Sequence, residues 1–261
     1  DHMIIFWGMM LPFLGTSLGA AFVFFIKGQT KPMVNKALLG AASGIMVAAS
    51  VWSLLIPSME MSEHLGKLAF LPAAIGFSFG IIFLLYLDRL ISYMERQKKI
   101  EKKEKNVEKS ADRKVLLLVL TIILHNIPEG MAVGAAFAGG LSNDTILAGA
   151  FALSLGIAIQ NIPEGAIVSM PLRGQGMHLW RSFFYGVLSG IVEPINAGIT
   201  LLLVGKVQQV LPFLLSFAAG CMIYVVIQEL IPEAVEKKTS FVGILSFSMG
   251  FLLMMVLDVA L

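Results

Sequence analysis

Long apolar runs separated by short polar segments recur along the whole chain. Eight of them are long enough to cross a membrane, because a hydrocarbon core of about 30 Å requires roughly 20 apolar residues in a helix. The runs lie near 4–26, 37–57, 68–91, 115–137, 146–170, 180–204, 211–231 and 240–260. They do not alternate between apolar and polar residues, as the strands of a membrane β-barrel do. The pattern therefore predicts an all-α membrane protein with eight transmembrane helices.

Composition and charge extend this picture. Of the 261 residues, 57% are hydrophobic and only 14% are charged, which is too apolar for a soluble domain and predicts one transmembrane domain over 1–261. Most of the 19 Lys and Arg residues fall in the first, third, fifth and seventh connections between the runs. The positive-inside rule then predicts that these connections are cytoplasmic and that both termini lie outside. The longest of them, 95–114, mixes basic and acidic residues and is predicted to be a solvated cytoplasmic loop.

Ionisable side chains are unusual inside such runs, since each costs at least about 2.5 kcal/mol on insertion scales. The fourth run contains HNIPEG at 125–130, and the fifth contains QNIPEG at 160–165. Within each segment, residues three or four positions apart share a helix face, so their imidazole, amide and carboxylate groups point together. With a carboxylate from the sixth run, the two segments predict a cation site. Its candidate ligands are His125, Asn126, Glu129, Gln160, Asn161, Glu164 and Glu193.

The prolines of the two segments also indicate a binding site at these segments. Pro128 and Pro163 cannot donate a backbone hydrogen bond, so they should free the carbonyls of Leu124 and Ile159 and kink both helices. Irregular backbone at membrane depth is tolerated where it lines a polar cavity, and paired broken helices indicate a transporter's binding site.

The role of Glu229 in the seventh run is ambiguous. It is either a hydrogen-bond partner between helices or a residue along the pathway.

On these two segments, the sequence resembles the Zrt/Irt-like (ZIP) family of divalent metal transporters, especially its bacterial GufA-like branch. The resemblance implies a ZIP-like bundle in which helices 1–3 and 6–8 form an inverted repeat around a buried binuclear site. It implies that one metal would be held by Met46, His125, Glu129, Gln160 and Glu164. The other would be held by Asn126, Glu129, Asn161, Glu164 and Glu193. Ser53 and Glu229 fall where the family pathway would run.

The resulting expectation is transport of a divalent transition-metal ion through the plasma (inner) membrane into the cytoplasm by alternating access. Zinc comes first, with iron, manganese, cobalt and cadmium as alternatives, because mixed nitrogen and oxygen ligands do not select one of them. An inside-negative potential favours inward movement, and the sequence contains no Walker-type phosphate loop. No enzyme activity, cofactor or nucleic acid is expected. The expected partners are divalent metal ions and the lipid bilayer, with a homodimer left open.

Two other classes of function remain as alternatives. An intramembrane zinc hydrolase would use Glu129 or Glu164 to activate a metal-bound water, although the H-E-x-x-H pattern is absent. A gated cation channel would pass ions without the saturation that marks a carrier.

Because metal ligands must be deprotonated, we also expect that acidification weakens metal binding.

Overall fold

The computed structural model describes residues 2–25, 32–101, 123, 126–127, 129–138, 144–174, 176–207, 210–235 and 241–260. Within these ranges every regular element is helical. Seven described segments are long and apolar enough to span a bilayer: Met3–Phe24, Pro32–Glu60, Phe70–Leu90, Leu147–Met170, Leu179–Leu203, Leu211–Val235 and Phe241–Val259. The all-α membrane class is thereby confirmed. About half of the predicted fourth span, 115–137, lies outside the described residues, so the count of eight stays a prediction.

The helices are numbered in chain order. They are α1 (His2–Ala21), α2 (Pro32–Ala49), α3 (Ile56–Glu60), α4 (Phe70–Glu101), α5 (129–138), α6 (Asp144–Gly174), α7 (Leu179–Gly190), α8 (Val192–Val207), α9 (Leu211–Val225), α10 (Ile231–Val235) and α11 (Phe241–Ala260). Helix α4 continues past the predicted end of the third span, at 91, to Glu101. The remainder of the charged connection 95–114 lies outside the described residues.

Two membrane segments contain a widened, π-helical turn at Ser50–Leu55 and at Val226–Leu230. The first turn joins α2 to α3 and the second joins α9 to α10, and Pro57 and Pro232 follow shortly after them. A proline ring clashes with the carbonyl group four residues earlier, and in both segments that carbonyl belongs to the widened turn. The π turns accommodate the prolines without ending the membrane segment.

The sixth apolar run is divided into α7 and α8 at Ile191. Pro194 accounts for this break, because it cannot donate a hydrogen bond to the carbonyl group of Gly190. Glu193 thereby falls in the first turn of α8. Pro163, in contrast, lies inside α6, which continues as one helix from Asp144 to Gly174. The kink predicted at Pro163 stays a prediction, and Pro128 lies outside the described residues.

The helices pack in two groups. In the first, which we call the site group, α1 packs against α6, α7 and α8. Helix α5 joins it, because side chains at Gly130 and Gly134 would overlap the backbones of Glu193 and Ala197 on α8. In the second, which we call the frame group, α2 packs against α10 and α11, and α9 packs against α4. Contacts of α6 with α2 and α11 join the two groups.

The two main pairs of the frame group use equivalent contacts. A side chain at Gly44 on α2 would overlap the backbone of Phe247 on α11. A side chain at Gly220 on α9 would likewise overlap the backbone of Phe77 on α4. Small residues allow this close approach in lipid, where the hydrophobic effect does not drive helices together. Together with the paired π turns, the repeated contact is what an inverted repeat of transmembrane helices 1–3 and 6–8 would produce, and that repeat stays a prediction from the family resemblance.

The outside of the bundle is apolar and much of its inside is polar. Large apolar side chains such as Trp7, Phe79, Leu202 and Met249 are more than half exposed. The buried polar side chains include many serines. They also include the amide and carboxylate side chains of the two NIPEG segments, Asn126, Glu129, Asn161 and Glu164. This arrangement suits a hydrocarbon solvent, in which polar groups must be satisfied inside the protein.

Candidate metal centre

Six of the seven candidate ligands from the two segments and the sixth run fall within the described residues, and all six are buried. They are Asn126, Glu129, Gln160, Asn161, Glu164 and Glu193, and none is more than 3% exposed. Helix α6 carries three of them, and α5 and α8 carry Glu129 and Glu193. Their burial in the site group accords with the expectation that they form one polar centre.

Two hydrogen bonds between helices join these residues in pairs. The amide of Gln160 donates to Glu129 Oε1 at 2.7 Å, and the amide of Asn161 donates to Glu193 Oε2 at 2.9 Å. Adjacent residues on α6 therefore reach carboxylates on two different helices. Hydrogen bonds to a buried carboxylate offset part of the free-energy cost of removing its charge from water.

The charge of Glu164 interacts with the carboxylates of both pairs. Its carboxylate is close enough to repel the charges of both Glu129 and Glu193. Three acidic groups in one apolar enclosure are costly in the absence of a compensating positive charge. A divalent cation supplies such a charge, and carboxylate and amide oxygens are suitable ligands for it.

Several oxygen atoms in this centre remain available as ligands. Asn126, Glu129, Gln160 and Asn161 each have one buried oxygen atom without a hydrogen-bond partner: Asn126 Oδ1, Glu129 Oε2, Gln160 Oε1 and Asn161 Oδ1. The amide nitrogen of Asn126 donates to the carbonyl oxygen of Ser189 at 3.1 Å, which leaves its oxygen for another partner. Buried polar atoms are rarely left unpaired, so a cluster of such oxygens indicates a site for a cation.

The other predicted ligands are less well defined. His125 lies outside the described residues. Met46 is fully buried in an apolar cluster that also contains Ala132, one helical turn after Glu129. Among the described residues, no three His, Cys, Asp or Glu side chains form a group that could hold a metal ion by themselves. The amides of Asn126, Gln160 and Asn161 are therefore considered as ligands together with the glutamates.

A cavity of about 410 Å³ lies beside this centre. Its lining includes Ala132 and Ala135 on α5, and Ser53 in the first π turn. It also includes Asp258 on α11, whose Oδ1 atom accepts a hydrogen bond from Ser53 Oγ at 2.7 Å. The cavity thus joins a polar pair of the frame group to the helix that carries Glu129.

Ser53 was singled out by sequence, but its partner Asp258 was missed. An acidic residue inside an apolar run is itself a signal of function, and Asp258 lies close to the end of the last run. Sequence reasoning also missed Thr16 of α1, whose hydroxyl lies 3.2 Å from Glu193 Oε1. Nothing in the sequence distinguishes Thr16 from other small residues of a membrane helix. For Glu229 only the backbone is described, in the second π turn, so its predicted role stays a prediction.

Comparison with known proteins identifies the family of this chain. A family model described as ZIP Zinc transporter matches residues 95–258. Zinc transporter ZIP11 of Homo sapiens is 34% identical, with 98% of this chain aligned to 94% of that protein. Zinc transporter ZIPB of Bordetella bronchiseptica is 34% identical, over 95% of this chain and 78% of that protein. Zinc transporter GufA of Myxococcus xanthus is 36% identical, over 85% of each. The chain therefore belongs to the ZIP family of zinc transporters.

Proposed function

We propose that this protein carries zinc ions across a membrane into the cytoplasm through the buried centre described above. The observation that carries this proposal is the set of three glutamates and three amides enclosed among apolar helices. Such a set is costly as mere packing, because each charge at membrane depth requires a partner. The names of the relatives, all zinc transporters, support zinc as the substrate.

We assign the ligands to two unequal positions. The hydrogen-bonded pair Gln160 and Glu129 contributes to the first position, together with His125 and Met46 as predicted from the family resemblance. The pair Asn161 and Glu193, with Asn126, contributes to the second position. Glu129 and Glu164 serve both. Both positions take a neutral amide from α6, but only the first has an imidazole and a thioether, so we expect the second to bind zinc more weakly.

The cavity beside the centre is the proposed route of access from outside. Asp258 lies near the C-terminus, and the charge pattern of the connections predicts that the C-terminus is outside. A carboxylate in a cavity with apolar walls attracts cations and raises their local concentration. Ser53 holds that carboxylate in place through its hydrogen bond. A zinc ion would pass from Asp258 along α5 to Glu129.

Movement of the site group against the frame group would provide alternating access. All six buried glutamates and amides belong to the site group, whereas Ser53, Asp258 and Met46 belong to the frame group. A rigid shift would thus carry the glutamates and amides away from the cavity as one unit, while Met46 stays with the frame group. An inside-negative potential favours inward movement of a divalent ion by about 4.6 kcal/mol per 100 mV, so no other energy source is needed.

Zinc uptake into proteoliposomes tests this proposal. With a zinc-sensitive dye inside the vesicles and an imposed inside-negative potential, we expect an initial uptake rate that saturates as external zinc rises. Protein-free vesicles provide the background. Uptake no faster than this background would contradict the transport function, and a rate that stays proportional to zinc concentration would indicate a channel instead of a carrier.

The access route makes a separate prediction for Asp258→Asn. Removing the charge should lower the initial uptake rate about tenfold at zinc concentrations well below KM, the lower end of electrostatic focusing effects. The rate at saturating zinc should change little, since the centre itself is intact. Ser53→Ala is the matched control, because it removes the hydrogen bond but keeps the charge, and its effect should be smaller. Equal rates for Asp258→Asn and parent protein at low zinc would place the route elsewhere.

A further inference from the structure

Thr16 of α1 lies beside Glu193, although no sequence motif includes it. Its side chain is fully buried, and its hydroxyl oxygen lies 3.2 Å from Glu193 Oε1 and 3.3 Å from the carbonyl oxygen of Pro12. A hydroxyl group has one proton to donate, and hydrogen bonds to a carboxylate are stronger than those to a neutral carbonyl. The Thr16 proton is therefore directed mainly to Glu193.

Two glycines hold Thr16 in place. A side chain at Gly165 on α6 would overlap the backbone of Thr16, so α1 and α6 are in direct backbone contact here. A Cβ atom at Gly190, the last residue of α7, would lie 2.8, 2.8 and 2.9 Å from three side-chain atoms of Thr16. Threonine is also restricted at χ1 in a helix because it is branched at Cβ. The position of its hydroxyl group is thus set by three packed helices.

Glu193 is held from its other side as well. The Asn161 amide donates to Oε2 at 2.9 Å, while the Thr16 hydroxyl donates to Oε1. The backbone of Glu193 packs against Gly130 of α5, where a side chain would overlap it. With both carboxylate oxygens engaged and the backbone fixed, the side chain of Glu193 has one favoured orientation.

We propose that Thr16 is a positioning residue of the metal centre, which keeps the Glu193 carboxylate turned towards Asn161. This rests on the proposed function, and it adds α1 as the helix that orients the third carboxylate. Without the hydroxyl group, Glu193 Oε1 loses its donor and the carboxylate can rotate. The consequence is weaker zinc binding and not a slower movement of the helix groups, because the packing of α1 against α6 is retained.

Zinc uptake by Thr16→Val, Thr16→Ala and Thr16→Ser proteoliposomes tests the proposal. Valine keeps the shape of the side chain and removes the hydroxyl group. Alanine also removes the hydroxyl group and cannot clash, so it tests the proposal if the valine variant does not fold. Serine keeps the hydroxyl group. We expect KM for zinc to rise about tenfold for valine and alanine, the lower end for a hydrogen bond to a buried charge, with Vmax within about twofold of the parent value. Serine should restore KM to within about twofold of the parent value.

Ser154→Ala is the matched control. Ser154 on α6 donates a hydrogen bond to the carbonyl oxygen of Gly8 on α1 at 2.5 Å, so this variant loses a hydroxyl from the same helix pair away from Glu193. Its KM should equal that of the parent. A parental KM for Thr16→Ala, an equal rise for Ser154→Ala, or a serine variant as impaired as alanine would overturn the proposal.

The outcome also separates this inference from the transport function. If the parent protein takes up zinc and the Thr16 variants match the Ser154→Ala control, the positioning role fails while transport stands. If the parent itself does not exceed protein-free vesicles, the transport function fails before Thr16 is considered.

Discussion

Zinc uptake by the Glu164→Ala protein is expected to fall at least about a hundredfold below that of the parent protein. Glu164 is buried, and its charge acts on the carboxylates of both Glu129 and Glu193. In the proposed centre it is shared by both metal positions, so its loss weakens each of them. Even residues that only support metal ligands cost about tenfold to a hundredfold in affinity when they are removed, and a ligand should cost more.

The measurement is the initial uptake rate into proteoliposomes that contain equal amounts of purified protein. Glu63→Ala is the control, because Glu63 is an exposed glutamate and its loss leaves the centre intact. The control should take up zinc at the parental rate. If Glu164→Ala also does so, the buried centre is not the site through which zinc passes.

A Glu164→Gln protein separates the role of charge from that of size. Glutamine fills the same space and keeps an oxygen ligand, but it removes one of three negative charges. Its uptake should lie between those of the parent and the alanine variant. Uptake at the parental rate would show that the amide is a sufficient ligand and that the third charge is not needed.

The membrane spans could be predicted from the sequence because one physical constraint dominates them. A helix must present about 20 apolar residues to cross the hydrocarbon core, and this length is visible in the sequence. Local departures from regular helices were less visible. The break before Glu193 follows from Pro194, whereas α6 continues through Pro163, so a proline alone does not predict where a helix ends.

Helical spacing predicted part of the centre for a similar reason. It identifies the residues that share a face of one helix, such as Gln160 and Glu164, but it does not identify the helix that this face contacts. The hydrogen bonds from Gln160 to Glu129 and from Asn161 to Glu193 depend on how α5 and α8 pack beside α6. The contribution of α1 through Thr16 depends on packing alone.

The glycines that end the two NIPEG segments are the clearest case of a residue whose role becomes evident only in the fold. By sequence they are small residues on a packing face. In the structure, Gly130 packs directly against the backbone of Glu193, and Gly165 packs directly against the backbone of Thr16. Each therefore brings the glutamate before it, Glu129 or Glu164, close to a neighbouring helix. The motif couples a ligand to the contact that positions it.

Replacing Gly165 by alanine should consequently disrupt both stability and transport. The added methyl group would overlap backbone atoms of Thr16 and Ala20, which no side-chain rotation can relieve. Forcing one extra methyl group into a packed core costs typically about 1–3 kcal/mol, and a backbone clash belongs at the upper end. Because α1 must move away from α6, the hydrogen bond from Thr16 to Glu193 should be lost as well.

Thermal unfolding in detergent and zinc uptake measure the two effects. Gly198→Ala on α8 is the matched control, since no described atom beyond the adjoining backbone of α8 lies within 4 Å of the added carbon atom and alanine favours a helix. The control should unfold at or above the parental temperature, whereas Gly165→Ala should unfold several degrees lower and take up zinc at least about tenfold more slowly. A Gly165→Ala protein with the parental unfolding temperature and uptake rate would contradict the close packing of α1 on α6, and with it the positioning of Glu193 by Thr16.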